Sequence, residues 1–156
     1  MNKQAKEEYF RKLEGDIARN GFATVTVFEK DSNHKFTYSV GLHKTYGHPE
    51  IITFGLPGKI AHAVIGDIAA KAKEDKPFDL SEATKELFEG EGEVVFLKVS
   101  KEVASKYLLS AFWFNNEEDF EVFQVVWKSQ IDCAYPWDEG ASSDFIDIQP
   151  IVGEER

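Results

Sequence analysis

The run EIITFGLPGKIAHAVIGDIAAKAK, residues 50–73, constrains the fold more than any other part of the chain. Its first seven residues put apolar side chains on both faces of a strand, the pattern of a central strand covered on each side. Pro57 then suits the first position of a helix, where its missing N–H costs nothing. Ile60, Ala61, Val64, Ile65, Ile68 and Ala69 form an apolar stripe at helical spacing over about residues 58–73. A covered strand that runs straight into an amphipathic helix calls for a sheet with helices packed on it.

The remaining segments fit that frame. Residues 4–19 read as an amphipathic helix with Phe10, Leu13 and Ile17 on one face, closed by Asn20-Gly21. FATVTVFE and FTYSVGL read as the two strands of a hairpin around the polar turn KDSNHK. KEDKPFDLSEATKE, residues 73–86, reads as a loop with a proline break, and GEVVFLKVS as a fourth strand. Ser100 is placed to cap a short helix over about residues 101–110, with Glu102 in its first turn. FEVFQVVWK reads as a fifth strand. The segment after it is mostly irregular, with residues 144–148 as a short edge strand. The expected fold is α+β: a mostly antiparallel sheet of about five strands with two or three packed helices, one domain over residues 1–156.

Charge narrows the function classes. The net charge is −10, and residues 1–114 hold 17 acids against 16 Lys/Arg, whereas residues 115–156 hold 11 against 2. Direct nucleic-acid binding is not expected, because neutralising phosphates needs clustered Lys/Arg. No apolar run reaches the roughly 18 residues of a membrane helix. The charged start, MNKQAKEEYFRKLEGD, has no signal-peptide core, so the expected compartment is the cytoplasm and no membrane partner is expected. The single cysteine, Cys133, forms no internal disulfide, and a lone cysteine usually acts as a small buried hydrophobe. No cation beside it in sequence would activate it as a nucleophile.

Several motifs in order resemble one family. Gly21-Phe22 opens the first strand, FTYSVGL and GHPEIITFGLP follow, and FQVVWK, YPWD at Tyr135–Asp138 and Gln149-Pro150 come late. In these features the chain resembles the bacterial domain-of-unknown-function family 4262. The resemblance implies an α+β domain of about this length. It implies no activity and no catalytic residues. Some small bacterial proteins of this sort act as immunity proteins beside polymorphic toxins.

Two surfaces compete for a functional reading. The first is the stretch FTYSVGLHKTYGHPE. His43, His48 and Glu50 have the spacing H-x4-H-x-E, which is not that of a helical zinc site, and Gly47 and Pro49 exclude a regular helix across it. A structural corner accounts for every residue: Gly41 and Gly47 turn the chain, Pro49 stiffens the strand entry, and Glu50 accepts hydrogen bonds from loop N–H groups. The competing reading is a ligand pocket, or the site of an enzyme, formed by Tyr38, His43, His48 and Glu50. No metal and no cofactor are expected. The second surface is the acidic quarter, with Glu117, Glu118, Asp119, Trp137, Asp138, Glu139 and Asp144 as partner-binding residues and Trp113 or Trp137 as an aromatic anchor. It favours a small acidic protein-binding domain of immunity type that neutralises a basic protein such as a toxin. No Gly-rich phosphate loop, paired-cysteine zinc motif or nucleophile elbow is present.

Overall fold

The strands are β1 (Ala23–Phe28), β2 (Lys35–Val40), β3 (Glu50–Phe54), β4 (Thr84–Phe88), β5 (Gly92–Val99) and β6 (Val122–Trp127). The helices are α1 (Lys3–Asn20), α2 (Leu42–Tyr46), α3 (Gly58–Lys73), α4 (Lys101–Tyr107), α5 (Leu109–Asn115) and α6 (Ser143–Ile148). The computed structural model describes residues 2–29, 34–88, 92–116 and 118–154. Most of the expected turn KDSNHK lies outside the described residues. The six strands form one mixed sheet in the order β1-β2-β3-β6-β5-β4. All neighbours are antiparallel except β3 and β6, which run parallel with Glu50 opposite Val122.

The sheet is covered on both faces. Ile51 and Ile52 are neighbours in sequence, and each is fully buried in a different core cluster. Ile52 and Phe54 join Phe36, Tyr38 and Val40 against α1, α4 and α5. Ile51 joins Val94, Phe96 and Val125 against Ala61, Val64, Ile65 and Ile68 of α3. The side-chain period of two along β3 produces this split, as the apolar pattern requires.

The α+β class stands, and several details differ from the sequence reading, among them six helices where two or three are expected. The sheet has six strands, because β4 forms at the end of the expected 73–86 loop. Its sequence, TKELF, buries only Leu87 fully and lies at the sheet edge, so it carries no covered-strand pattern. Residues 144–148 form α6 in place of an edge strand, since the Ser142 hydroxyl accepts from the Phe145 N–H and Asp144 sits in the first turn. The helix expected over 101–110 is two helices: α4 stops at Leu108, whose ψ of 54° breaks the helical path, and α5 follows at once. No helix among the described residues is long and apolar enough to cross a membrane.

Candidate functional site

The corner between β2 and β3 is built around one carboxylate. Glu50 has no solvent exposure. The Ser39 hydroxyl donates to its Oε1 at 2.7 Å, and the Leu42 N–H donates to the same oxygen at 3.1 Å. The N–H groups of Gly41 and His43 donate to Oε2 at 3.2 and 3.3 Å. The Ser39 oxygen in turn accepts from the Ile51 N–H at 2.8 Å. The strand–turn–strand reading needs one correction here. Residues 42–46 form the short helix α2, which fits because it ends before Gly47 and Pro49 and does not cross them. Its first N–H groups have no partner within the helix, and Glu50 supplies one. Burial pushes the Glu50 carboxyl above the usual carboxylate range, while the four donors pull it back.

The other three members of the proposed pocket do not converge on Glu50 through their side chains. Tyr38 is buried on the α1/α5 side, where its hydroxyl accepts from the Ser110 N–H at 3.0 Å. His43 is half-buried and faces Phe120 and Glu118, with Nε2 3.4 Å from the Glu118 carboxylate. A shallow recess of about 200 Å3 beside His43, Gly47, Pro49 and Phe120 includes none of Tyr38, His48 or Glu50. Among the described residues, no group of three or more His, Cys, Asp and Glu is placed to hold a metal ion.

His48 is 5% exposed, and its Nδ1 lies 2.7 Å from the Pro49 carbonyl, to which it donates. Its Nε2 is buried without a hydrogen-bond partner among the described residues. Burial lowers its pKa below the usual histidine value, against the opposing pull of the Pro49 carbonyl. The unfolded chain therefore takes up a proton at a pH where the folded chain does not. The stability this supplies is full above the unfolded pKa of about 6.5 and falls as pH drops through it. His48→Asn keeps a donor for Pro49 and removes the titration. Melting temperatures at about pH 7 and pH 5 should show a smaller acid-side loss in the variant than in the wild type. Equal losses would assign that slope to other groups.

The acidic residues fall at opposite ends of β6, roughly 17 Å apart at about 3.3 Å per residue. At its start, Asp119 pairs with Lys101, Glu121 with Lys98 at 3.0 Å, and Glu118 with His43. Glu117 lies outside the described residues. Trp113, on the α5 side of the sheet, stacks on Phe10 of α1 at 3.8 Å. At the far end of β6, Tyr135 packs on Val126 and Leu97, and Trp137 stacks on Tyr135 at 4.8 Å. Asp138 accepts from the Tyr135 N–H at 2.9 Å and so closes its own turn. Glu139 is exposed beside it, and Asp144 is exposed in the first turn of α6. Cys133 is exposed, not a buried hydrophobe, and lies in a turn at φ 52°.

That far end carries a groove of about 670 Å3. Its walls come from the start of α3, from α6 and from the loop 128–132, with Ile60, Trp127, Ile131 and Phe145 as its apolar lining. Ile131 is 93% exposed, and Ile60 is 44% exposed. Asp132 and Asp144 stand at the edge, both exposed and outside any ion pair among the described residues. Lys128 turns instead to Glu93 at 3.7 Å and to the Tyr135 ring. The wall at α6 is fixed by Gln149, which is fully buried. Its Oε1 accepts from the Trp127 N–H, and its Nε2 donates to the Trp127 carbonyl, both at 3.0 Å. This amide pairs with Trp127 as a neighbouring strand would. Gln124 does similar work on the tail: its Nε2 donates to the Pro150 carbonyl, and its Oε1 accepts from the N–H groups of Val152 and Gly153.

Sequence reasoning noted Gln149 only as a motif and missed Gln124, Ser39 and Ile131. A glutamine within an otherwise apolar strand, as in FQVVW, was the available signal for Gln124. A buried amide needs partners, and the tail supplies them.

The fold and its two ends define a mixed α+β domain with a carboxylate-held corner at one end of the sheet and an open apolar groove with acidic edges at the other. The chain belongs to the family described as domain of unknown function DUF4262, which matches it over residues 16–142. Gln149-Pro150 lies beyond that match. Comparison with curated proteins and with solved structures finds no match.

Proposed function

We propose that this domain binds a protein partner through the groove at the end of β6, and that the partner presents an apolar side chain flanked by Lys or Arg. The observation that carries the reading is the 93% exposed Ile131 on an apolar groove beside Asp132 and Asp144, two carboxylates without ion pairs among the described residues. Exposed apolar surface rimmed by charge is typical of interaction sites. The acids at the start of β6 support the reading less, because Lys98, Lys101 and His43 already face them. In its specific form the proposal is an immunity-type role, in which the acidic edge steers the domain onto a basic toxin and the groove holds it there. A cytoplasmic location fits this role. The corner at Glu50 serves as the scaffold, since both of its carboxylate oxygens are taken up by three backbone N–H groups and the Ser39 hydroxyl.

The test titrates the product of the adjacent gene against the wild type and three variants at low and high salt. Asp132→Lys with Asp144→Lys should slow association by about tenfold at low salt, with the difference shrinking above about 0.1 M salt. Ile131→Ser should mainly speed dissociation. Glu118→Lys with Asp119→Lys, at the other end of β6, should change both rates by less than about threefold. Unchanged binding by the first two variants, or an equal effect of the third, would overturn the groove reading.

A further inference from the structure

A second groove lies on the opposite helical layer, between α1 and the α4–α5 pair, and has a volume of about 800 Å3. Val25, Val27 and Phe36 form an apolar base, and the stacked Phe10 and Trp113 lie at its side. Tyr9, Ser110 and Tyr38 bring three hydroxyls together within it. The Tyr9 hydroxyl lies 2.8 Å from the Ser110 Oγ, and the Ser110 N–H donates to the Tyr38 oxygen. Leu109 stands at the mouth, 66% exposed, with Trp113 at 43%. The volume and lining fall in the range of small-molecule sites, which are mostly apolar with a few placed polar groups.

Charge selects the ligand class. Lys6 of α1 and Lys106 of α4 line the groove from its two sides. Both are exposed, and neither makes an ion pair among the described residues. Two ammonium groups outside ion pairs, against one carboxylate in the lining, leave this apolar groove net positive in a chain of net charge −10. The carboxylate on the groove, Glu29, faces His34 at 3.8 Å. We infer that this groove binds a small amphipathic carboxylate, with its apolar body against Phe10, Trp113 and Phe36 and its anionic end between Lys6 and Lys106. The site is independent of the protein-binding groove at the end of β6.

The experiment follows tryptophan emission as decanoate, 2-naphthoate or decanol is added to the protein, with Trp113→Phe identifying the signal from this groove. Saturable binding of at least one carboxylate below about 1 mM is expected. A preference for decanoate marks an acyl chain as the natural body, and a preference for 2-naphthoate marks a planar aromatic one; either supports the site. Decanol should bind about fivefold more weakly than decanoate, and Lys6→Ala with Lys106→Ala should cost decanoate about fivefold while leaving decanol unchanged. Leu109→Glu adds a negative charge at an exposed position without disturbing the core, and should weaken decanoate by a similar factor. Failure of both carboxylates to give a Trp113-dependent signal would overturn the inference. So would equal affinity for decanol and decanoate, or a double lysine variant that binds decanoate like the wild type.

Discussion

Glu50→Ala is expected to destabilise the domain by about 3–5 kcal/mol, because several buried donors lose their acceptor together, each at about 1–3 kcal/mol before the site relaxes. The cost is large because the loss is shared. Gly41, Leu42 and His43 lose the acceptor for their N–H groups, and Ser39 loses the acceptor for its hydroxyl. Water reaches none of them easily in a site with no exposure at Glu50. Ser39→Ala, which removes one donor and frees only the Ile51 N–H, should cost about 1–3 kcal/mol. Urea unfolding at neutral pH measures both. A Glu50→Ala variant as stable as the wild type would mean that α2 and the corner hold themselves.

The same residue sets a pH slope opposite to that of His48. Because burial raises the folded pKa of Glu50, the folded chain retains a proton at pH values where the unfolded chain, with a pKa of about 4.3, has lost it. This contribution is full below the unfolded pKa and is lost as pH rises through the folded value. Glu50→Gln should flatten that part of the stability curve, whereas His48→Asn flattens the acid-side loss. Proton uptake on refolding near pH 5, measured by calorimetry in two buffers, should fall in Glu50→Gln relative to the wild type. No change in uptake would place the Glu50 pKa at its unfolded value.

Local chemistry made the corner legible in the sequence. A glutamate one position after a proline, entering a strand with no polar neighbours, has few partners other than loop N–H groups, and Glu50 found three of them. β3 was legible as an unbroken apolar run that fills both faces of a strand, and α3 because its apolar residues recur at helical spacing. What escaped depends on contacts made far along the chain. β4 is charged and buries Leu87 alone, so only its pairing with β5 defines it. DFIDI, residues 144–148, is rich in the Phe and Ile that favour strands, yet the Ser142 cap and the clasp of Gln149 on Trp127 make it a helix end. The acidic quarter read as one surface because its members are close in sequence. β6 runs between them and separates them to the two ends of the sheet: Lys101 and Lys98 meet Asp119 and Glu121 at one end, while at the other Asp138 closes its own turn and Asp144 lines the groove.

Gly55→Ala is expected to be the most damaging glycine substitution at the groove end, at about 3 kcal/mol, from about 1 kcal/mol for the left-handed backbone and the rest from overpacking. Gly55 sits at φ 84°, and an added Cβ would lie 2.8 Å from the Ile148 carbonyl oxygen and 3.2 Å from the Trp127 ring. Neither neighbour is at liberty to retreat. The Trp127 indole N–H donates to the Phe54 carbonyl at 2.8 Å, and Gln149, next to Ile148, is bonded to both backbone groups of Trp127. Relief therefore requires α6 to move outward and the Gln149 pair to open. Gly47→Ala supplies the control. Its φ of 66° imposes the same class of strain, but nothing lies within 4 Å of its added Cβ, so about 1 kcal/mol is expected. The difference between the two variants in urea unfolding, about 2 kcal/mol, isolates the close approach of α6 to the turn after β3. Amide exchange at Trp127 should quicken in Gly55→Ala and not in Gly47→Ala, because only the first strains the clasp. Equal costs for the two substitutions would mean that α6 yields freely, and a groove with so loose a wall would lose its claim to hold a partner.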